Sequence, residues 1–284
     1  MPQLTWLVTG CTSGLGKQFI HSILARGDKA IATARGDISR LDVLAKAGAK
    51  VYSLDVTASP TDINAIVGTI VEENGQIDIV VPNAGYIEAG ISEEVSYEQY
   101  LSQFAVNFFG VVKTTQAILP HFRAQKAGTI VFMGSVGGIA GDPGAGPYCS
   151  TKHALEGWYE CLKIETAPFG IRSIIFELGH FRTKVFNPEH IQIRSSAIED
   201  YTPLRTMVEG FIRGVDGNQP GDPKQAVEVI LDVIRGEGAA EGKAFPDRLP
   251  LGGDCLVAMR KKAVSNLTVC NEWEDVIRST DIAK

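Results

Sequence analysis

Tyr148 and Lys152 stand four positions apart in Tyr148-Cys149-Ser150-Thr151-Lys152, a spacing that puts both on one face of a helix. A tyrosine phenol ionises near pH 10 (about 10 in model peptides), so proton transfer at neutrality needs a positive charge beside it. Lys152 supplies that charge. Ser135, in Met133-Gly134-Ser135-Val136-Gly137-Gly138, offers a hydroxyl to hold the reacting oxygen. Asn107 lies between Val106 and Phe108, in an apolar stretch where a buried amide needs a partner. It can anchor a water that links Lys152 to solvent. Together these groups suit proton transfer at an oxygen whose carbon gains or loses a hydride. Singly, each has an ordinary alternative: a surface pair, a turn serine, a structural asparagine.

A hydride needs a carrier, and the chain start offers a place for one. Thr9-Gly10-Cys11-Thr12-Ser13-Gly14-Leu15-Gly16 joins an apolar strand to a helix. Gly10 suits a tight turn, Gly14 lets backbone approach a pyrophosphate, and Gly16 lets helix and strand pack closely; the helix N-terminus then faces the phosphates. Arg35 follows the second strand, where a guanidinium accommodates the 2′-phosphate of NADP and a carboxylate would bind the ribose of NAD. Ser13 and Lys17 can add to that site, Asp37 argues against it, and a plain surface arginine is the alternative. Asp55 can accept from the adenine amino group and Val56 can pack on the ring, although a turn aspartate reads equally simply. In Asn83-Ala84-Gly85, small residues allow close approach to the adenosine ribose, and Asn83 can brace the sheet.

Apolar runs alternate with helical stretches and place these residues just after strands. Strands are expected at Leu4–Val8, Lys29–Ala34, Val51–Leu54, Ile77–Val81, Thr129–Met133 and Arg172–Leu178. Helices are expected over Leu15–Arg26, Ile38–Lys46, Pro60–Glu73, one or two within Ser96–Ala124, and Tyr148–Ala167. This alternation implies an α/β fold: a Rossmann-like, doubly wound parallel sheet of about seven strands with helices on both faces, in strand order 3-2-1-4-5-6. A short seventh strand is expected near Lys243–Phe245. Ligands bind such sheets beyond the carboxyl ends of the strands.

In order and spacing, Thr9-Gly10…Gly14-Leu15-Gly16, Asp55, Asn83-Ala84-Gly85, Asn107, Ser135 and Tyr148…Lys152 resemble the single-domain short-chain dehydrogenase/reductases, over roughly Leu4 to Thr183. The resemblance implies catalytic roles for Asn107, Ser135, Tyr148 and Lys152, and a hold by Lys152 on the nicotinamide ribose. It implies that Thr183 bonds the nicotinamide carboxamide, with Gly179 and Phe181 beside the ring. Leu178 replaces the family's usual proline and Pro82 a common asparagine, which puts loop rigidity and one hydrogen bond in question. Arg35, Glu177…Thr183 and Arg248–Gly252 resemble an NADP-using ketone and steroid reductase branch. The expected activity is NADP(H)-dependent reduction of a ketone to a secondary alcohol. Family members commonly pair through the helices of Asn107 and Tyr148, so a homodimer or homotetramer is expected.

The rest of the chain sets bounds. The 284 residues carry a net charge of -6 and 44% hydrophobic residues, with no linker, so one domain over 1–284 is expected and a nucleic-acid role is not. The Arg260-Lys261-Lys262 run reads as a solvated helix face. No signal peptide or membrane span is apparent, and five scattered cysteines without metal-type spacing fit a cytoplasmic location. A thiol nucleophile from Cys149 and His153 lacks a third member, and a metal site at His180 or His190 lacks partners; His180 can instead line the substrate pocket. Residues 184–217 read as a substrate lid for a bulky hydrophobic ketone, with Phe181 and Tyr86, and 254–284 as a C-terminal extension. A catalytically silent NADP(H) sensor and an epimerase or dehydratase on the same scaffold are the rival readings.

Overall fold

The computed structural model describes residues 2–187, 191–193 and 198–282. Seven strands form one parallel sheet: β1 (Thr5–Val8), β2 (Lys29–Ala34), β3 (Lys50–Ser53), β4 (Ile79–Val81), β6 (Gly128–Met133), β7 (Ile171–Leu178) and β9 (Arg248–Leu251). Their order is β3-β2-β1-β4-β6-β7-β9, the expected doubly wound arrangement with its seventh strand. That strand lies later than Lys243–Phe245. Phe245 instead packs its ring under Arg172, 4.6 Å from centroid to guanidinium, and Arg248 to Leu251 pair with Ile175 to Leu178. Pro250 is tolerated there because β9 is an edge strand.

Alternation along β1 divides the core. Trp6 and Val8 face a layer that includes α1 (Gly14–Ala25) and α8 (Pro223–Arg235). Leu7 faces the opposite layer, built by α3 (Pro60–Asn74), α5 (Gly110–Gln125) and α6 (Gly146–Thr166). The expected helix at Ile38–Lys46 is a 3₁₀ turn over Ile38–Leu41 followed by α2 (Asp42–Lys46). The long stretch Ser96–Ala124 divides into α4 (Tyr97–Phe104), a π turn over Ala105–Phe109, and α5.

A second, two-stranded parallel sheet joins β5 (Ile87–Ala89) to β8 (Ile191–Ile193) and was not expected. Strands of three residues carry too little pattern to be read. They sit in a small apolar cluster with Val208 and Ile212 of α7 (Thr202–Val215). Buried Glu94 pairs with Arg205 and fastens α7 beside this sheet. Within the expected lid, Pro188 and His190 lie outside the described residues. The chain ends in α9 (Gly253–Glu272) and α10 (Glu274–Arg278), exposed beyond Met259.

Candidate functional site

A cleft of about 1140 Å³ opens at the carboxyl ends of the strands. At one end lies the β1–α1 loop. A Cβ on Gly16 would fall 2.3 Å from the Gly10 carbonyl oxygen, so only glycine allows α1 to start this close to β1. Gly16 is buried and does not line the cleft; Gly10, Thr12, Ser13, Gly14 and Leu15 do. The Ser13 side chain makes no cap bond, and the first turn of α1 carries no acidic residue. The helix therefore presents its N–H groups with no carboxylate competing for them.

Thr9 joins this loop to the end of β4. Its Oγ1 accepts from the N–H groups of Asn83 and Ala84, each at 3.0 Å, and its carbonyl accepts from Asn83 Nδ2 at 2.9 Å. Asn83 thus braces the sheet while Asn83, Ala84 and Gly85 line the cleft. Pro82 is buried and leaves these bonds intact.

Arg35 and Arg40 line the cleft beyond β2, both exposed. Arg40 was missed in the sequence; its signal was a second arginine at the start of the short helix after Arg35. Asp37, the residue that argues against a 2′-phosphate here, lies between them in the chain and is exposed. Its carboxylate caps the 3₁₀ turn, accepting from the N–H of Ser39 at 2.9 Å and its hydroxyl at 2.7 Å, and these bonds hold it below the usual carboxylate range. Lys17 is exposed and is not among the described residues that line the cleft. Asp55 and Val56 line it. The Oδ1 of Asp55 accepts from both the N–H and the hydroxyl of Thr57, the turn alternative, so any ligand contact falls to Oδ2.

Toward the middle, Ser135, Tyr148 and Lys152 converge. Ser135 follows β6 and Tyr148 enters on the first turn of α6. A Cβ on Gly137 would lie 3.1 Å from Tyr148 Cε1, so glycine lets the phenol ring close on the Ser135 loop. Burial pushes the Tyr148 phenol up to about 12, and its hydrogen bond with Ser135 opposes that rise. Lys152 Nζ donates to the Met133 carbonyl at 2.7 Å and lies 5.7 Å from the centre of the Tyr148 ring. Burial lowers the ammonium to about 8, with the Glu156 carboxylate opposing. The Met133 carbonyl is a second participant the sequence did not reveal, because any residue supplies one.

Asn107 occupies the π turn, a distortion that often marks functional positions. Its Oδ1 accepts from the Tyr86 N–H at 3.1 Å and its Nδ2 donates to the Tyr86 carbonyl at 2.9 Å. The amide thus fixes the loop after β4 through the Tyr86 backbone, and Tyr86 lines the cleft.

Beyond β7, Gly179, Phe181 and Thr183 line the cleft. Leu178 in place of proline does not leave this loop loose. Arg182 N donates to the Gly221 carbonyl at 2.8 Å, and the Arg182 guanidinium donates to the Gln219 carbonyl at 3.1 Å. Thr183 Oγ1 caps the next turn through Val185 N at 3.4 Å, and Thr183 Cβ would lie 3.6 Å from a Cβ on Gly14. The first and last loops of the site therefore meet across the sheet.

The thiol alternative has no geometry. His153 Nδ1 lies 2.9 Å from the Cys149 carbonyl, not its sulfur, and burial raises the Cys149 thiol. Among the described residues no group of three His, Cys, Asp or Glu could hold a metal ion, and no helix is long and apolar enough to cross a membrane.

The short-chain dehydrogenase family model matches residues 5–193. An uncharacterised oxidoreductase of Bacillus subtilis, YusZ, is 34% identical over 235 residues, covering 80% of this chain and 83% of its own. A short-chain dehydrogenase structure from Streptomyces avermitilis superposes with a TM-score of 0.87 at 33% identity, covering 98% of each chain. A variant of actinorhodin polyketide ketoreductase solved with NADPH gives 0.71 at 27% identity, covering 89% of this chain and 97% of its own. The chain belongs to the short-chain dehydrogenase family and is an oxidoreductase of that family.

Proposed function

We propose that the protein is an NADP(H)-dependent carbonyl reductase, interconverting a ketone and a secondary alcohol. The observation that carries this reading is the cleft itself. Two guanidiniums, Arg35 and Arg40, stand at one end, and Ser135, Tyr148 and Lys152 meet in the middle. The Asp37 carboxylate, which would favour NAD, is held by Ser39. The β1 loop, lined by backbone and small side chains, fits a pyrophosphate, and the two arginines fit a 2′-phosphate. When bound, the nicotinamide supplies the hydride for reduction or takes it for oxidation.

This chain's residues do the rest. Ser135 and Tyr148 hold the substrate oxygen, and Tyr148 donates its phenolic proton to that oxygen as the carbonyl carbon is reduced. Lys152, fixed by Met133, lowers the cost of the phenolate that remains and holds the nicotinamide ribose. Asn107 keeps Tyr86 and the neighbouring wall in place. Gly179, Phe181 and Thr183 flank the nicotinamide position. The segment 184–217, with Val208, Phe211 and Ile212 lining the cleft, acts as a lid over an apolar substrate. Exposed Leu101, Phe109 and Ile164 on the helices of Asn107 and Tyr148 support homo-oligomerisation, and the unpaired cysteines support a cytoplasmic location.

The test is absorbance at the reduced-nicotinamide band, with NADPH and NADH in parallel and a panel of aliphatic, aromatic and steroid ketones. Decay with NADPH and selected ketones is expected, with kcat/KM at least tenfold (roughly) above NADH, as two phosphate-binding arginines imply. A preference for NADH, or no decay with any ketone, overturns the reading.

A further inference from the structure

His180 follows β7 and lines the cleft together with Tyr148. Its backbone N–H donates to Asp254 Oδ2 at 2.7 Å, and its ring Nδ1 lies 2.8 Å from the same oxygen. Asp254 stands at the first turn of α9. A Cβ on Gly179 would fall 2.0 Å from Asp254 Oδ1, so the glycine before His180 is what lets this carboxylate reach the loop. The imidazole also stacks on Phe186, with centroids 5.7 Å apart at 29°, and meets Phe211 of α7 edge-on at 6.1 Å and 76°. The ring is thus fixed from three sides: the start of α9, the turn at Lys184–Phe186, and α7.

The state of the pair follows from its bonds. Burial raises Asp254, but hydrogen bonds from the His180 N–H, the His180 ring and the Cys255 N–H outweigh it and hold the carboxyl below its usual range. An ionised carboxylate only accepts, so Nδ1 carries the proton. Nε2 has no partner among the described residues.

We propose that His180, oriented by Asp254, is a specificity-determining residue whose Nε2 hydrogen-bonds a hydroxyl group carried by the substrate away from its reacting carbon. The substrate class is then a hydroxyketone on an apolar frame. A hydroxyl fits because it donates to a neutral Nε2 and accepts from a protonated one. A carbonyl or carboxylate pairs only with the protonated ring. The apolar frame lies against Phe186, Phe211 and Ile212. This inference rests on the ketone-reducing reading above and names the substrate of the same site.

The test compares a hydroxyketone with its deoxy analogue, using the nicotinamide cofactor that the unaltered protein accepts. The unaltered protein is expected to prefer the hydroxyketone in kcat/KM. His180→Phe should lower that preference ratio about tenfold, the scale of one hydrogen bond. His180→Gln, which keeps a donor and an acceptor, should recover part of it, and Asp254→Asn, which weakens the orienting bond, should lower it less. An unchanged ratio in His180→Phe overturns the proposal. Binding read without turnover separates the two readings. Calorimetric titration of the corresponding diol and mono-alcohol into Tyr148→Phe should show a diol preference that His180→Phe removes. Diol preference with no ketone reduced overturns the reductase reading and leaves the His180 contact standing. Ketone reduction with no diol preference overturns the His180 contact alone.

Discussion

The helix α6 carries two polar groups on one stripe, and they meet opposite environments. Tyr148 and Lys152 open into the cleft, where Lys152 is held by a single carbonyl and Tyr148 by Ser135. Farther along the same stripe, Glu156 turns into the protein with Glu177 of β7, beneath Arg248 of β9. Arg248 Nη2 lies 2.7 Å from Glu156 and Nε 2.5 Å from Glu177, whose side chain is wholly buried. Burial acts on both groups, but in opposite directions on the pKa. It lowers the Lys152 ammonium to about 8, and burial together with the Glu156 charge raises the Glu177 carboxyl to about 8. In each case the charged form is the one disfavoured. The difference is access. The first group can exchange a proton with a bound substrate, whereas the second ties three elements together behind the Ser135 loop.

The largest effect expected is on the open group. Tyr148→Phe should lower kcat by roughly 100- to 10,000-fold, the range for a lost general acid, while leaving cofactor affinity close to that of the unaltered protein. Single-turnover kinetics and fluorescence titration of the cofactor check this, and full activity would remove Tyr148 from the reaction.

Breaking the closed group should appear in stability instead. Arg248→Met leaves two buried carboxyls without their cation, at a cost of roughly 2 kcal/mol once the partial exposure of Arg248 is discounted. Denaturant midpoints measure it. No change would mean that water or another cation serves the pair.

The two groups should also differ in their pH response. The charge on Lys152 is present below about 8 and lost above it, so kcat/KM for reduction should fall as pH rises through that value. A flat profile up to pH 10 (about 10, the ordinary lysine range) would show that the cofactor holds the charge in place. Glu177 has a folded-state pKa above its ordinary 4.5, so its contribution to stability is full at acid pH and is lost as pH rises toward about 8. The smallest effect expected is therefore a melting temperature that declines over this window, with a shallower decline in Glu177→Gln. An identical slope in both proteins would sever the buried pair from the pH response.

Much of the open group was legible in the sequence because each member is a distinctive side chain placed directly after a strand or in the first two turns of a helix. Tyr148 and Lys152 are neighbours by helical spacing, and Ser135 needs only the loop after β6 to reach them. The closed group was not legible. Glu156, Glu177 and Arg248 come from three elements separated by more than twenty positions at each step, and glutamates and arginines at such spacings are usually solvated. The same holds for His180 and Asp254, which meet because the end of β7 lies beside the end of β9 in the sheet. Asn107 was singled out by its apolar neighbours, but its bonds to Tyr86 depend on a π turn that no periodicity announces.

The sequence by itself determined the alternation of strands and helices, the glycine loop and the Tyr148–Lys152 pair, because these follow from periodicities and spacings within a few turns of chain, and the order of the main sheet followed from that alternation through the right-handedness of βαβ connections. Only the tertiary structure decided where the seventh strand lies, how the β5–β8 sheet forms, that Asp37 caps a turn while Arg40 joins Arg35, and which buried charges face one another. Those outcomes depend on which distant groups lose water together, and the free energy of a buried charge or an edge strand is set by its partners across the fold rather than by its neighbours in the chain.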